Sequence, residues 1–190
     1  MTDSPIDALQ AAVGACEAAR VGYAVIGGVA RNAWAPPRAT TDLDLAVLLS
    51  VPVYESLLGE LAACGFDPQQ VVRATPDDAL PDVVLLRRAT GTVRRLDLLV
   101  AKSAFEREAV DQAVVVDIGS PCRVARPEHL IVYKLIAGRP RDLGDAEDIG
   151  RTQQSAGIDL DLSLVRKWAE EWGVVERLET LLAALARQQH

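Results

Sequence analysis

The sequence predicts an α/β protein in which a mixed β-sheet is followed by a helical bundle. Up to about residue 125, short apolar runs bounded by glycine or proline alternate with segments of helical periodicity. Beyond that point, every segment has helical spacing. Hydrophobic residues make up 49% of the 190 residues and charged residues 25%, as is typical of a globular chain. We therefore predict an α/β core over residues 1–125 and a C-terminal helical region over residues 126–190.

The first helix is predicted to begin at Pro5. Ser4 is a typical N-cap, proline suits the first helical position, and Asp7 is favoured near the positive end of the helix dipole. Gly22 marks the end of this helix, and the apolar run 23–26 is typical of a short buried strand.

The stretch from Tyr23 to Leu49 organises the rest of the chain. Gly27 and Gly28 end the first strand, and a short helical piece from Val29 to Trp34 follows. The prolines at 36–37 end that piece, because proline lacks the N–H group that a helix interior requires.

A second strand is predicted from Thr41 to Leu48. Because side chains alternate along a strand, Asp42 and Asp44 share one face, whereas Leu43 and Leu45 share the other. Two carboxylates this close repel each other when both are ionised without a cation nearby. The pattern therefore predicts that a divalent ion binds here.

The remaining elements follow from the same signals. Helices are predicted over 52–63 and 103–112, and strands over 82–87, 92–101 and 113–118, with a further short strand ending at Val124. The polar segment 67–81 contains three prolines and is predicted to be a loop with one short strand at 70–72. The C-terminal helices are predicted over 127–137, 142–154, 162–172 and 174–187.

A third carboxylate, Asp97, lies between apolar residues in the predicted strand 92–101. Such a position suits an acid that points from a strand into a site. The alternative is a surface acid that pairs with Arg94 or Arg95 on an edge strand.

Taken together, these residues resemble the nucleotidyltransferase superfamily typified by DNA polymerase β. DNA polymerase β itself has a Gly-Ser pair at the glycine position. The Gly-Gly form is similar to abortive-infection (AbiEii-type) toxins and to small antibiotic nucleotidyltransferases. The residues that carry the resemblance are Gly27, Gly28, Arg38, Thr40, Asp42, Asp44 and Asp97.

The resemblance implies a reaction and a set of roles. A nucleoside monophosphate would pass from a nucleoside triphosphate, with ATP one candidate, to an acceptor hydroxyl, and two Mg²⁺ ions would assist. The implied catalytic metal ligands are Asp42, Asp44 and Asp97. The implied nucleotide-binding residues are Gly27, Gly28, Arg38, Thr40 and Lys134.

A segment after the sheet also resembles the AbiEii-like branch, in which a lysine faces the phosphates. This segment contains Lys134. It also contains four residues that are expected to hold the nucleotide-binding side chains in place without contacting the nucleotide: Arg139, Arg141, Asp142 and Asp145. Arg141 stands where that branch has a lysine. For Asp142 and Asp145, the favoured interpretation is structural: they pair with Lys134 or Arg139, or cap a helix.

The acceptor is less well defined by the sequence. The net charge of −7 argues against a general nucleic-acid binder, whereas residues 87–107 carry six cations against two acids. This basic segment is either a solvated strand edge or a surface that faces a polyanion. The resemblance favours RNA or tRNA as acceptor, as in the toxin of a toxin–antitoxin pair with an antitoxin partner. The alternatives are an antibiotic nucleotidyltransferase and a non-catalytic nucleotide-binding module.

The sequence predicts a cytoplasmic protein without membrane association. No apolar run approaches the roughly 20 residues of a membrane span, and the N-terminus lacks the basic and apolar regions of a secretory signal. Cys16, Cys64 and Cys122 form no C-x-x-C pair, and we interpret them as small core residues in a reducing compartment.

Overall fold

A computed structural model describes residues 4–75 and 77–187, and over these residues it contains seven strands and eight helices. The strands are β1 (Gly22–Ile26), β2 (Asp42–Leu48), β3 (Asp67–Val72), β4 (Val83–Arg87), β5 (Arg95–Val100), β6 (Val114–Asp117) and β7 (Pro121–Val124). The helices are α1 (Pro5–Ala18), α2 (Gly27–Trp34), α3 (Val51–Ala63), α4 (Ala104–Asp111), α5 (Pro127–Ala137), α6 (Pro140–Ser155), α7 (Leu162–Glu171) and α8 (Val175–Ala186). The predicted fold class, a mixed sheet with a helical C-terminal region, is confirmed.

The chain divides into two compact units. The first unit contains residues Met1–Val29 and Ala39–Ala125, and the second contains Ala30–Arg38 and Arg126–His190. The predicted boundary between residues 125 and 126 remains a prediction. The contact-based units differ from it in grouping residues 30–38 with the C-terminal helices.

The first unit contains the whole sheet, in the strand order β3-β4-β5-β2-β1-β7-β6. The central strand β2 is antiparallel to β1 and parallel to β5. Parallel neighbours need a crossover between them, and here β3 and β4 lie in the connecting chain. Because β2 is paired on both sides, its position and register are fixed by two hydrogen-bonded ladders.

One face of β2 belongs to the core. Leu43, Leu45 and Val47 are at most 1% exposed, whereas Asp42 and Asp44 alternate with them and are partly exposed. Helix α4 packs against β1 and β2, and α1 packs against β1 and α3. The alternation that the sequence predicted is therefore the alternation that buries one face of the strand and opens the other.

Side-chain caps fix the ends of several helices. Ser4 and Asp7 form a capping box at α1, and Ser103 and Glu106 form a second one at α4. The Asp161 carboxylate accepts hydrogen bonds from two N–H groups at the start of α7. These caps satisfy backbone donors that no helical carbonyl reaches. The predicted helix starts at Pro5 and Leu162 are confirmed.

The segment 67–72 contains the predicted short strand at 70–72, which begins three residues earlier than expected. It forms the edge strand β3, paired antiparallel with β4, and its register shifts between Pro68 and Gln70. Every residue of β3 is exposed, so the strand lacks the alternation of apolar and polar residues that sequence reasoning relies on. An edge position tolerates Pro68, because an edge strand needs partners on one side only. Pro76, in the predicted loop, lies outside the described residues.

In the part of the second unit that the structure describes, the regular elements are all helices. Within it, α5 packs against α6 and α7, and α8 packs against α6 and α7. Gly138 ends α5 in the left-handed conformation, with φ of 65°, as the sequence predicted. Among the residues that the structure describes, no helix has the length and apolar character needed to cross a membrane.

Candidate active site

The strand-to-helix junction after β1 depends on Gly27. Its φ is +67°, a left-handed conformation that side chains of L-residues rarely adopt. A Cβ atom built on Gly27 would lie 2.0 Å from Oδ2 of Asp44. The backbone therefore passes directly beside the Asp44 carboxylate, and only glycine leaves room for it. Helix α2 begins at Gly27, two residues earlier than the sequence predicted.

The sheet register brings the three predicted metal ligands together. Asp44 on β2 is the direct neighbour of Asp97 on β5, and Asp42 is the neighbour of Arg95. Neighbouring strands are about 4.8 Å apart, and in-register residues point to the same side of the sheet. We call this side of β2 and β5, with Asp42, Asp44 and Asp97, the aspartate face. All three residues are partly exposed on it.

Asp97 is engaged by its own strand. Arg95 donates from Nε to Oδ1 of Asp97 at 2.8 Å and from its terminal nitrogen to Oδ2 at 2.6 Å. This is a bidentate pair between residues i and i+2, which share a face of the strand. The hydrogen bonds to Asp97 raise the pKa of Arg95, and the charges of Asp42 and Asp44 add to the effect. The pairing with Arg95 that the sequence offered as an alternative is present, although β5 is an inner strand.

The aspartate face suits a divalent cation in its ligand chemistry. Mg²⁺ prefers oxygen ligands and is often held by one or two carboxylates, with water and phosphate completing the octahedron. The absence of a side chain at Gly27 lets the Asp44 carboxylate fit against the backbone there. Within residues 4–75 and 77–187, no three acid, histidine or cysteine side chains are already arranged as a metal site.

The threonines before β2 bond locally. The Thr40 hydroxyl donates to the backbone carbonyl of Asp42 at 3.2 Å, and the Thr41 hydroxyl donates to Oδ1 of Asp42 at 3.3 Å. Both contacts hold the turn that leads into the aspartate strand. The nucleotide-binding roles of Thr40 and of the Gly27–Gly28 backbone remain predictions.

The second unit contains a buried charge network around Asp145. The Asp145 carboxylate is 3% exposed and receives two hydrogen bonds from Arg38, from Nε at 2.8 Å and from a terminal nitrogen at 2.7 Å. Lys134 Nζ lies 2.9 Å from Oδ2 of the same carboxylate, and Arg31 Nε lies 3.4 Å from Oδ1. Burial alone would raise the pKa of Asp145, but the hydrogen bonds from Arg38 and Lys134 outweigh it and lower that pKa to about 2.

Asp142 is a second partner for Lys134. Lys134 donates to Oδ1 of Asp142 at 2.9 Å, and Arg139 donates to the other oxygen. Burial opposes ionisation of Asp142, yet the hydrogen bonds from Arg139 and Lys134 keep its pKa below the ordinary value. These contacts are the structural pairings that the sequence favoured for both aspartates. Arg141 is exposed.

The predicted site residues therefore fall into two groups, one in each unit. The first unit brings together Gly27, Asp42, Asp44 and Asp97, with Gly28 and Thr40 beside them in the chain. The second unit brings together Arg38, Lys134, Arg139, Asp142 and Asp145. Sequence reasoning named Arg95 only as an alternative partner of Asp97, and it did not identify Arg31 or Asp148. The spacing of Arg95 and Asp97 offered a signal, whereas the pairing of buried Arg31 with Asp148, 117 residues away, offered none.

The basic segment 87–107 is partly neutralised within the first unit. Lys102 pairs with Asp78 at 3.0 Å and with Asp82 at 2.8 Å, and Arg95 pairs with Asp97. Arg88 lies over the ring of Phe66, 4.9 Å from its centroid. Two of the six cations, Arg95 and Lys102, are therefore paired with aspartates inside the unit, which weakens the case for a surface that faces a polyanion.

Comparison with known proteins gives a fold and no close relative. No family model matches the chain. No curated protein matches it either. Among solved structures, the antibiotic-resistance factor ANT(2'')-Ia has a TM-score of 0.61 at 15% identity, over 95% of this chain and 99% of its own.

Two further solved structures are similar. A nucleotidyltransferase-like antigen from Paracoccidioides brasiliensis has a TM-score of 0.54 at 19% identity, over 94% of this chain and 91% of its own. The lincosamide antibiotic adenylyltransferase LnuA, bound to lincomycin, has a TM-score of 0.54 at 13% identity, over 77% of this chain and 96% of its own. At such identities the likeness establishes the fold, and the nucleotidyltransferase fold expected from the sequence is confirmed.

Proposed function

We propose that this chain, which has the fold of the nucleotidyltransferases, is a Mg²⁺-dependent enzyme that transfers a nucleoside monophosphate from a nucleoside triphosphate to an acceptor hydroxyl and releases pyrophosphate. The single observation that supports this best is the aspartate face. Its three carboxylates come from two neighbouring strands in register, and the backbone at Gly27 makes room for one of them. A purely structural face would have little reason to group three like charges on adjacent inner strands.

The predicted site residues of the first unit have separate roles in the proposed reaction. Asp42 and Asp44 would hold the cation, with Asp97 completing the metal site, and the bound cation would offset the charge that develops on the transferring phosphoryl group. The Gly27–Gly28 backbone would direct N–H groups at the triphosphate from the start of α2. Asp97 would orient the acceptor hydroxyl and accept its proton on a carboxylate oxygen, since each oxygen retains a lone pair after bonding to Arg95.

The proposed parts of Arg38 and Lys134 concern the triphosphate. Both carry a positive charge that is fixed in place by Asp145. Fixed cations stabilise developing negative charge without having to reorganise during the reaction. We propose that Arg38 and Lys134 support triphosphate binding, with Arg139, Asp142 and Asp145 holding them in place.

For the acceptor, we propose a small hydroxylated molecule. Two of the similar solved proteins are an antibiotic-resistance factor and a lincosamide adenylyltransferase, and this chain spans nearly the whole length of both. An RNA acceptor was favoured by the basic segment 87–107, which is partly neutralised by aspartates. A toxin of a toxin–antitoxin pair is therefore the second candidate.

A transfer assay tests this function. The chain is incubated with Mg²⁺, each nucleoside triphosphate labelled at the α-phosphate, and one acceptor at a time: an aminoglycoside, a lincosamide or bulk tRNA. Wild type should label one acceptor class. Asp44→Asn should lose about a thousandfold in rate, since loss of metal-assisted charge stabilisation costs several kcal/mol.

The matched control is Asp67→Asn, which removes the same charge from an exposed position on β3. It should retain the wild-type rate. If tRNA is the acceptor that becomes labelled, the small-molecule proposal is wrong and the toxin-type function takes its place. Absence of label on every acceptor would contradict the enzyme proposal and favour the non-catalytic module, and an unchanged rate in Asp44→Asn would contradict the proposed site.

A further inference from the structure

Arg95 occupies a position on the aspartate face that the proposed reaction leaves without a task. In the sheet register it lies beside Asp42, and along β5 it lies two residues before Asp97. Its guanidinium engages both oxygens of Asp97, at 2.8 and 2.6 Å. Arg95 thus places a positive charge among three carboxylates.

A stabilising role for the fold does not account well for this arginine. Its side chain is 40% exposed, and the Asp97 side chain is 20% exposed. Ion pairs at such exposure contribute little to folding stability, because water screens them and ordering two long side chains costs entropy. The bidentate geometry, by contrast, is specific: it fixes the orientation of the Asp97 carboxylate.

We propose that Arg95 is a positioning residue that competes with a divalent cation for Asp97. Without the cation, Arg95 holds Asp97 in place and balances the charge of the aspartate face. When a cation binds to that face, Arg95 gives up at least one of its two hydrogen bonds. The competition follows from charge, because a guanidinium and a divalent ion on the same carboxylate repel each other at short range. This inference rests on the metal site of the proposed function.

The test is a Mn²⁺ titration, with binding measured by electron paramagnetic resonance or calorimetry and without any nucleotide or acceptor. Arg95→Gln removes the charge and keeps a polar side chain of moderate length. If Arg95 competes for Asp97, this variant should bind Mn²⁺ roughly threefold to tenfold more tightly than wild type. The metal then no longer has to displace the positively charged guanidinium from the carboxylate. Arg95→Lys retains a charge without the planar fork, and should lie between the two.

The matched control is Arg87→Gln. Arg87 is exposed and is the in-register neighbour of Arg95 on β4. Its substitution by glutamine removes the same charge as Arg95→Gln does. The Mn²⁺ affinity of this variant should stay within about twofold of wild type, because the Arg87 charge affects the metal only through an electrostatic field that salt screens. A gain in Arg87→Gln equal to that in Arg95→Gln would overturn direct competition.

A double-mutant cycle completes the test. In an Asp97→Asn background, which removes the group that is competed for, Arg95→Gln should raise the Mn²⁺ affinity much less than it does in the wild-type background, because only the field of its charge on Asp42 and Asp44 is then lost. Wild-type affinity in Arg95→Gln, or a weaker one, would overturn the inference while leaving the metal site intact. Absence of Mn²⁺ binding in wild type would overturn both the site and the inference. Competition at Asp97 without nucleotidyl transfer would support the inference and contradict the proposed function alone.

Discussion

Gly27 couples backbone conformation to the chemistry of the site. Replacing it with alanine imposes a left-handed φ on a residue with a side chain, at a cost of about 1–2 kcal/mol. The same Cβ would lie 2.0 Å from Asp44 Oδ2, so the carboxylate must move as well. We predict that Gly27→Ala lowers the free energy of unfolding, measured in urea, by more than about 2 kcal/mol and weakens Mn²⁺ binding.

Two other glycines separate the contributions at Gly27. Gly157 has a φ of +69° and nothing within 4 Å of a built Cβ, so Gly157→Ala should show the cost of conformation alone. Gly14 lies inside α1, also with open space, and Gly14→Ala should stabilise the chain by roughly 0.5–1 kcal/mol. If Gly27→Ala behaves like Gly157→Ala and binds Mn²⁺ normally, close packing against Asp44 is not what the position requires.

Asp145 is the other residue on which a local network depends. Removing one partner of a buried ion pair costs about 3–5 kcal/mol, because the remaining charges lose their compensation. We predict such a loss for Asp145→Asn at pH 7, measured by urea unfolding. Asp148→Asn is the matched control. The Asp148 side chain is 53% exposed and shares Arg31 with Asp145. The unfolding free energy of Asp148→Asn should therefore fall by less than about 1 kcal/mol.

The stability that Asp145 contributes should depend on pH. Its folded-state pKa is about 2, below the ordinary 3.8, so ionisation favours the folded state. The contribution is fully present above pH 3.8 and is lost as the pH falls towards 2. The difference in unfolding free energy between wild type and Asp145→Asn should therefore be constant from pH 7 to about 5 and shrink below 4. A difference that grows with acidification would contradict the network.

At the scale of elements, α4 supports the aspartate strand from the core side. The helix packs against β1 and β2, and its start is fixed by the capping box of Ser103 and Glu106. We predict that Ser103→Ala lowers the unfolding free energy by about 1 kcal/mol, as the loss of an N-cap typically does. Ser120→Ala, at a partly exposed turn position, is the control. An unchanged stability in Ser103→Ala would show that packing alone fixes the start of α4.

The elements also show what the sequence predicts well. Strand β2 begins with alternating acidic and apolar residues, and β5 begins with Arg95, Leu96, Asp97 and Leu98, so the faces of both strands and the position of Asp97 follow from spacing. β3 has no alternation, because all its residues are exposed and only its pairing with β4 makes it a strand. Likewise, the Arg95–Asp97 pair follows from two-residue spacing. The contact of Arg38 with Asp145 joins residues 107 apart in sequence, and no local pattern encodes it.

At the scale of the whole molecule, the net charge of −7 bears on the binding of a triphosphate. An acidic chain repels an anionic nucleotide at long range, and salt screens that repulsion beyond about 10 Å. The account therefore requires local cations and a bound divalent ion to overcome an unfavourable overall field. We predict that added Mg²⁺ tightens nucleotide binding more than an equal ionic strength of Na⁺ does, as measured by calorimetry. Equal effects of the two salts would mean that only general screening is involved.

The central claim is that Asp42 and Asp44, on a face shared with Asp97, hold a divalent ion together with a nucleoside triphosphate. Thermal unfolding of wild type, Asp44→Asn and the charge-matched Asp67→Asn tests it most directly. A ligand present at a hundred times its Kd stabilises the folded state by about 2.7 kcal/mol, which for a chain of this size raises Tm by roughly 5–10 °C. The account predicts this rise for wild type and Asp67→Asn with Mg²⁺ and at least one triphosphate, and no rise for Asp44→Asn. An unmoved wild-type Tm with every triphosphate at millimolar concentration, or an equal rise in Asp44→Asn, would contradict it.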